Sequence, residues 1–215
     1  MTDLYVFDFH GTLSKGNENA VVESTNLSLE KHRRRERLTV EDAKRLQGRP
    51  WADYFRELCP DASDEQIASM VEYARTFDSY VIPKYVKPMD NVSEVLTEIK
   101  GRGHAAIVIS NTTPEVLDIY LKCVGIESLV DDKLGIARQD EKSGKLDVTY
   151  YKAKKLREYL KNKKFGRIVL VGDTEDDINA GKLIGAITLY FNPNGKKYDT
   201  ADQSISDLRQ LLTIF

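Results

Sequence analysis

The sequence predicts an α/β protein whose parallel sheet is interrupted after its first strand by an all-helical segment. Three observations carry this. An apolar run, Leu4-Tyr5-Val6-Phe7, ends at Asp8 and is followed at once by a turn through Gly11 and Thr12. From about residue 15 to residue 86 the apolar residues recur only at helical spacing. After Pro88, helical and β-branched segments alternate, which implies strands joined by helical crossovers and therefore a parallel sheet covered on both faces.

Val6 and Phe7 suit a buried central strand. A carboxylate at the end of such a strand lies at the carboxyl edge of the sheet, where open α/β proteins bind ligands. Asp8 is thus a metal ligand, a nucleophile, or both. Gly11 allows backbone to approach a ligand, and the neighbouring amides can face an anion.

The helical segment begins near Asn17 and runs through Ala20, Val21, Val22, Leu27 and Leu29 into a charged tract, Glu30 to Arg37, whose basic part, His32 to Arg37, reads as an exposed helix face or else as a surface that attracts anionic substrates. Thr39-Val40-Glu41-Asp42 resembles a capping box, and its helix stops at Gly48. Pro50 opens a helix over Trp51 to Leu58, which Cys59-Pro60 ends. Ser63-Asp64-Glu65-Gln66 is a full capping box, and Ile67, Met70, Val71, Ala74, Phe77 and Val81 then share one helical face, with Pro83 and Pro88 bracketing the exit. Trp51, Tyr54 and Phe55 read as core of this unit.

Beyond Pro88, Val92, Val95, Leu96 and Ile99 predict a helix and Ala105 to Ile109 a strand ending at Ser110-Asn111. Pro114 opens a helix that Gly125 ends. Residues 126–148 are less regular, with short apolar pieces near Leu129-Val130 and Leu134-Ile136. A helix over Thr149 to Leu160, a strand over Ile168 to Val171, a helix over Ile178 to Leu183, a strand over Ile187 to Tyr190 and a helix over Ser206 to Leu212 complete the chain.

Composition excludes several classes. The 215 residues are 41% hydrophobic and 31% charged, which suits an ordinary core and surface. A net charge of −2 gives no basic field for nucleic acid. No run is long enough to cross a membrane, and the first apolar run lacks a basic leader. Cys59 and Cys123 fit neither a metal spacing nor a disulfide framework, so a cytoplasmic location is expected. No repeat is present, and a monomer or weak dimer is expected.

Asp8, Ser110 and Asp173 all close strands, so a parallel sheet can bring them together. Asp173-Thr174-Glu175-Asp176-Asp177 holds four acidic groups in five residues, and Asp173 with Asp177 suits Mg²⁺, a hard cation that takes oxygen ligands. A solvated loop with Asp176 or Asp177 as a helix cap is the other reading.

Asp8-Phe9-His10-Gly11-Thr12-Leu13 resembles the first motif of the haloacid dehalogenase-like (HAD) superfamily, Asp-x-Asp-Gly-Thr-Leu, with His10 at the second aspartate. Val108-Ile109-Ser110-Asn111 resembles the second motif, and Gly172-Asp173-Thr174 followed by Asp177 and Ala180-Gly181 resembles the fourth. Pro88-Met89-Asp90-Asn91-Val92 resembles the return to the core after an inserted cap. The resemblance implies a Rossmann-like core over residues 1–14 and 87–215 and a helical subclass I cap over 15–86. It implies a Mg²⁺-dependent phosphatase acting on a small phosphorylated metabolite. Asp8 would form an aspartyl-phosphate, with Mg²⁺ held by Asp8, the His10 carbonyl and Asp173. Asp177 would complete the metal shell or orient a bound water. Ser110 would bind phosphoryl oxygens, with Gly11, Thr12 and Asn111 beside it.

The third-motif lysine is read as Lys152, with Lys142, Lys145, Lys154 and Lys155 as rivals. His10 leaves three readings open: an acid/base variant, an attenuated phosphate- and metal-binding relative, or an engineered change. Other branches of the superfamily act as dehalogenases or phosphonatases. The acidic fourth motif argues for metal and so against a metal-independent dehalogenase. Leu46-Gln47-Gly48-Arg49-Pro50 resembles the cap loop that reaches the active site in relatives acting on sugar phosphates and phosphoglycolate. Arg49 could there meet a second anionic group, or it is a solvated arginine on a capping turn.

Overall fold

In a computed structural model, residues 1–135 and 147–214 are described. Strand β1 (Leu4–Asp8) is buried along its whole length and lies between β4 (Ala105–Ile109) and β6 (Ile168–Gly172), parallel to both. With β5 (Asp132–Leu134), β7 (Ile187–Phe191) and β8 (Gln203–Ile205) the sheet runs β5-β4-β1-β6-β7-β8, every pairing parallel. The order reverses around β1, so the strand ending in Asp8 opens on the crevice that such a switch creates.

The strand period of two divides the core. Tyr5 and Phe7, with Val108, Val169, Val171 and Leu189, face helices α6 (Val92–Gly101) and α7 (Pro114–Cys123). Leu4 and Val6, with Ile107, Ile109 and Leu170, pack with Leu156 of α8 (Val148–Leu160) and Ala186 on the other face. Each such side chain contributes about 1.5–3 kcal/mol relative to exposure. Helix α9 (Glu175–Leu183) follows β6.

The helical insertion comprises α1 (Asn17–Lys31), α2 (Val40–Arg45), α3 (Trp51–Leu58), α4 (Asp64–Arg75) and α5 (Asp78–Tyr85). Leu29, Phe55, Ile67 and Met70 form its own apolar centre, whereas Ala20, Val81, Ile82 and Val86 join the cluster on the sheet. The chain enters and leaves through two short antiparallel strands, β2 (Ser14–Lys15) and β3 (Lys87–Pro88), paired Ser14 to Pro88 and Lys15 to Lys87.

Several details differ from the sequence reading. The tract His32 to Arg37 is not a helix face: α1 stops at Lys31, Arg33 takes a left-handed φ of 57°, and the Arg34 amide bonds back to Leu29. Arg34 then pairs with Asp61 at 2.8 Å. The helix expected from Ile67 to Val81 breaks at Thr76-Phe77 into α4 and α5, and Pro83 lies inside α5 rather than at an exit. Strands β2, β3, β5 and β8 were not expected, and the closing helix is a 3₁₀ turn over Leu208–Gln210 followed by α10 (Leu211–Ile214). Lys142, Lys145 and Ile136 lie outside the described residues. No helix among the described residues is long and apolar enough to cross a membrane.

Candidate active site

Asp8 leaves β1 at the carboxyl edge of the sheet and accepts a hydrogen bond from Lys152 Nζ on its Oδ1 at 2.6 Å. The same ammonium donates to Asp177 Oδ1 at 2.6 Å. Helix α8 presents Lys152 inward because Tyr151, Lys152, Ala153 and Leu156 form its buried face, and Asp147 caps its first turn through the Tyr150 amide. Lys154 is exposed and Lys155 stands over the Tyr151 ring. Asp177 is the third residue of α9. Its Oδ2 accepts from the Thr174 amide and hydroxyl, so the side chain completes a capping box while its other oxygen meets Lys152. A side chain at Gly172 would place Cβ 2.3 Å from Asp177 Cβ, so this strand end requires glycine.

Asp173 is half-buried. Its Oδ1 accepts from the Thr12 hydroxyl at 3.3 Å and its Oδ2 from Gln47 Nε2 at 3.0 Å. Gly11, at φ 86°, passes so close that a Cβ would lie 2.1 Å from Asp173 Oδ2. Gly11→Ala is therefore expected to cost at least about 1–2 kcal/mol from the left-handed backbone alone. It should also push Asp173 out of place. An unchanged urea midpoint would contradict this.

Carboxylate oxygens of Asp8, Asp173 and Asp177 lie within 4.8 Å of one another. Burial, opposed by Lys152 and reinforced by Asp177, pushes the Asp8 carboxyl up to about 7. Burial and the Asp8 charge raise Asp173 well above the carboxylate range. Burial works against the Lys152 charge, but Asp177 and Asp8 outweigh it and hold the ammonium protonated. Were all three carboxyls ionised they would outnumber the one ammonium in a nearly dry site, which is why Asp8 and Asp173 resist ionising without a further cation. An all-oxygen donor set of this kind fits a divalent cation such as Mg²⁺, and Asp8 and Asp173 are the residues that would hold it.

Ser110 follows β4 and is buried; its hydroxyl oxygen accepts from the Thr112 amide at 3.2 Å. Asn111 Nδ2 donates to the Gly48 carbonyl at 2.8 Å, while its buried Oδ1 has no partner among the described residues. The His10 ring is T-stacked on Phe9 and on Tyr120, and its Nε2 lies 2.9 Å from the Thr112 hydroxyl. Its Nδ1 is buried without a partner among the described residues. Burial, and secondarily the Lys152 charge, push the imidazole down to about 3, so the ring is neutral near pH 7. The ring nitrogens are not part of the carboxylate cluster.

A cavity of about 530 Å³ lies over Asp8, Lys152 and Asp173 and is roofed by Gln47, Arg49 and Tyr54 of the insertion. Arg49 lines it but is largely exposed, with its guanidinium 3.9 Å from Glu57. The insertion's contact with the carboxylates is instead Gln47, which sequence reasoning passed over. Its only signal was membership of the Leu46–Pro50 interruption, since an amide adds nothing to a charge pattern.

Comparison with known proteins gives the family and the fold. Among curated proteins, a phosphonoacetaldehyde hydrolase of Bacillus cereus (strain G9842) is 26% identical over 174 residues, covering 74% of this chain and 64% of that protein. The same figures hold for one of Bacillus mycoides (strain KBAB4). The chain thus spans just under two thirds of the length of these curated relatives. Among solved structures, a haloacid dehalogenase-like hydrolase of Streptococcus pneumoniae superposes with a TM-score of 0.78 at 14% identity, over 100% of this chain and 98% of that one. A protein of Haemophilus somnus described as a predicted phosphoglycolate phosphatase gives a TM-score of 0.76 at 19% identity, over 99% and 97%. At such identities the structural likenesses establish the fold. The family profile matches residues 5–190, from β1 through β7 and so across every strand end that carries the site, and the chain belongs to the haloacid dehalogenase-like hydrolases.

Proposed function

We propose that the protein is a Mg²⁺-dependent phosphatase that hydrolyses a small phosphorylated metabolite through an aspartyl-phosphate on Asp8. The observation that carries this reading is the buried Lys152 bridge from Asp8 to Asp177 with Asp173 beside it. An Asp8 oxygen attacks phosphorus and the ester P–O bond breaks; water then attacks phosphorus of the acyl phosphate and regenerates Asp8. Lys152 favours the ionised form of Asp8 and holds the carboxylate in place. Bound Mg²⁺ would offset the repulsion between an anionic nucleophile and an anionic phosphoryl group. Ser110, with the amides around Gly11 and Thr12, would bind phosphoryl oxygens. The insertion would act as a cap that excludes water from the cavity. The same reading has the chain act as a cytoplasmic monomer or weak dimer, without nucleic acid or membrane.

His10 shapes the substrate class. An imidazole that stays neutral near pH 7 and is tied to Thr112 does not supply a proton to a departing alkoxide. Substrates whose leaving group departs without a proton are therefore favoured, and acetyl phosphate should outrun simple alkyl phosphates. This also supports a second reading, because the curated relatives are named for phosphonoacetaldehyde. The carbon leaving group of that substrate is stabilised by its carbonyl.

The test is phosphate release from p-nitrophenyl phosphate, acetyl phosphate, a panel of phosphorylated metabolites and phosphonoacetaldehyde, with Mg²⁺ and with excess chelator. Loss of at least about 10²-fold in chelator is expected, with Asp173→Asn needing more Mg²⁺. Full rates in chelator would remove the metal. Turnover of phosphonoacetaldehyde alone would favour the second reading, and uniformly feeble turnover an attenuated relative.

A further inference from the structure

Asp173 is held by donors from two separate parts of the chain. Thr12, in the turn after β1, donates to Oδ1 at 3.3 Å, and Gln47, in the turn between α2 and α3 of the insertion, donates from Nε2 to Oδ2 at 3.0 Å. The path between Gln47 and Asp173 is open only because residue 11 is glycine. A Cβ there would lie 2.1 Å from Asp173 Oδ2 and 2.8 Å from Gln47 Nε2. The Gln47 turn is itself tied to the core, since the Gly48 carbonyl accepts from Asn111 Nδ2 at 2.8 Å. One turn of the insertion thus meets residues just past both β4 and β6.

An ionised carboxylate only accepts hydrogen bonds, and its two oxygens carry about four lone pairs. Each Asp173 oxygen can therefore keep its donor and still offer a lone pair to a cation. Donors of this kind fix the orientation of a liganding carboxylate, and losing one typically costs about 10–100-fold in metal affinity. We infer that Gln47 is a positioning residue for the metal carboxylate, supplied by the insertion, so that Mg²⁺ binding and the seating of the insertion on the core strengthen one another. The inference rests on the Mg²⁺ reading above. The coupling is reciprocal: whatever seats the insertion tightens the cation, and the cation holds the insertion by the same factor. The other tie, Asn111 to Gly48, ends on a backbone carbonyl and so acts on the metal only through the placement of Gln47.

Calorimetric Mg²⁺ titration of the full chain without substrate tests this, and turnover plays no part in it. Gln47→Ala should bind Mg²⁺ about 10-fold more weakly than the parent, at the low end of the range because Gln47 is exposed and water can replace its donor. Its thermal midpoint in chelator should stay close to the parent's; a collapsed midpoint would give Gln47 a structural role instead. Asn111→Ala should weaken Mg²⁺ in the parent and have little further effect in Gln47→Ala, because both changes act through one contact. An unchanged or tighter affinity in Gln47→Ala overturns the inference. Equal losses from Asn111→Ala in both backgrounds overturn the coupling to the insertion. If the parent binds no Mg²⁺, the metal reading and the inference fall together; if parent and Gln47→Ala bind it equally, only the inference falls.

Discussion

Asp8→Asn is expected to lower phosphate release by on the order of 10⁴-fold or more while leaving the fold intact. The asparagine amide is close in shape to the carboxylate, and its oxygen can still accept from Lys152, so the β1 end and the Lys152 bridge should survive. What is lost is the anionic oxygen that attacks phosphorus. The parent holds Asp8 at a cost, since burial raises its carboxyl to about 7. Removing that charge should therefore leave the thermal midpoint in chelator unchanged or raise it. Comparable phosphate release from variant and parent would sink the nucleophile assignment. A collapsed midpoint would show that the residue is structural.

The second large effect belongs to Lys152→Met. Methionine fills much of the space, but Asp8 and Asp177 are then buried without their ammonium. Removing one partner from a buried ionic group costs about 3–5 kcal/mol. Turnover should fall as well, because the nucleophile loses the charge that favours its ionised form. The pH dependence follows from Asp8. Its folded value lies above the ordinary 3.8, so the folded state binds the extra proton and stability falls as pH rises from about 4 to about 7. Without Lys152, which opposes that rise, the fall should extend to higher pH. Urea denaturation in chelator at pH 5 and pH 8 tests this: the gap between parent and Lys152→Met should widen at pH 8. Equal midpoints at both pH values would mean that the bridge contributes nothing.

Much of this was legible in the sequence because the site lies where the backbone pattern changes. Asp8 and Asp173 each end an apolar run, and strand ends of a parallel sheet meet at one edge. Lys152 was harder. Lys142, Lys145, Lys152, Lys154 and Lys155 all competed for the third motif, and only burial on the inner face of α8 separates Lys152 from Lys154 and Lys155. The edge strands β5 and β8 escaped because three residues carry no usable period, and both include polar side chains. The basic tract after Leu29 was misread because nothing in its composition marks Arg33 as left-handed, a conformation usually signalled by glycine. Gln47 escaped for another reason: its importance lies in a contact with Asp173, 126 positions away.

The pairing of β2 with β3 has a mechanical consequence. Two chain crossings that run side by side and share hydrogen bonds resist twisting and sliding, but they bend readily together about the line that joins them. Gly16, at φ 87°, follows β2 directly, and a Cβ there would meet the Tyr85 carbonyl at 2.5 Å, so the two crossings are in contact where the insertion begins. The helical insertion thus meets the core along one bendable edge at the paired crossings and at the opposite edge through Gln47 and Gly48, with Ala20, Val81 and Ile82 packed between core and insertion.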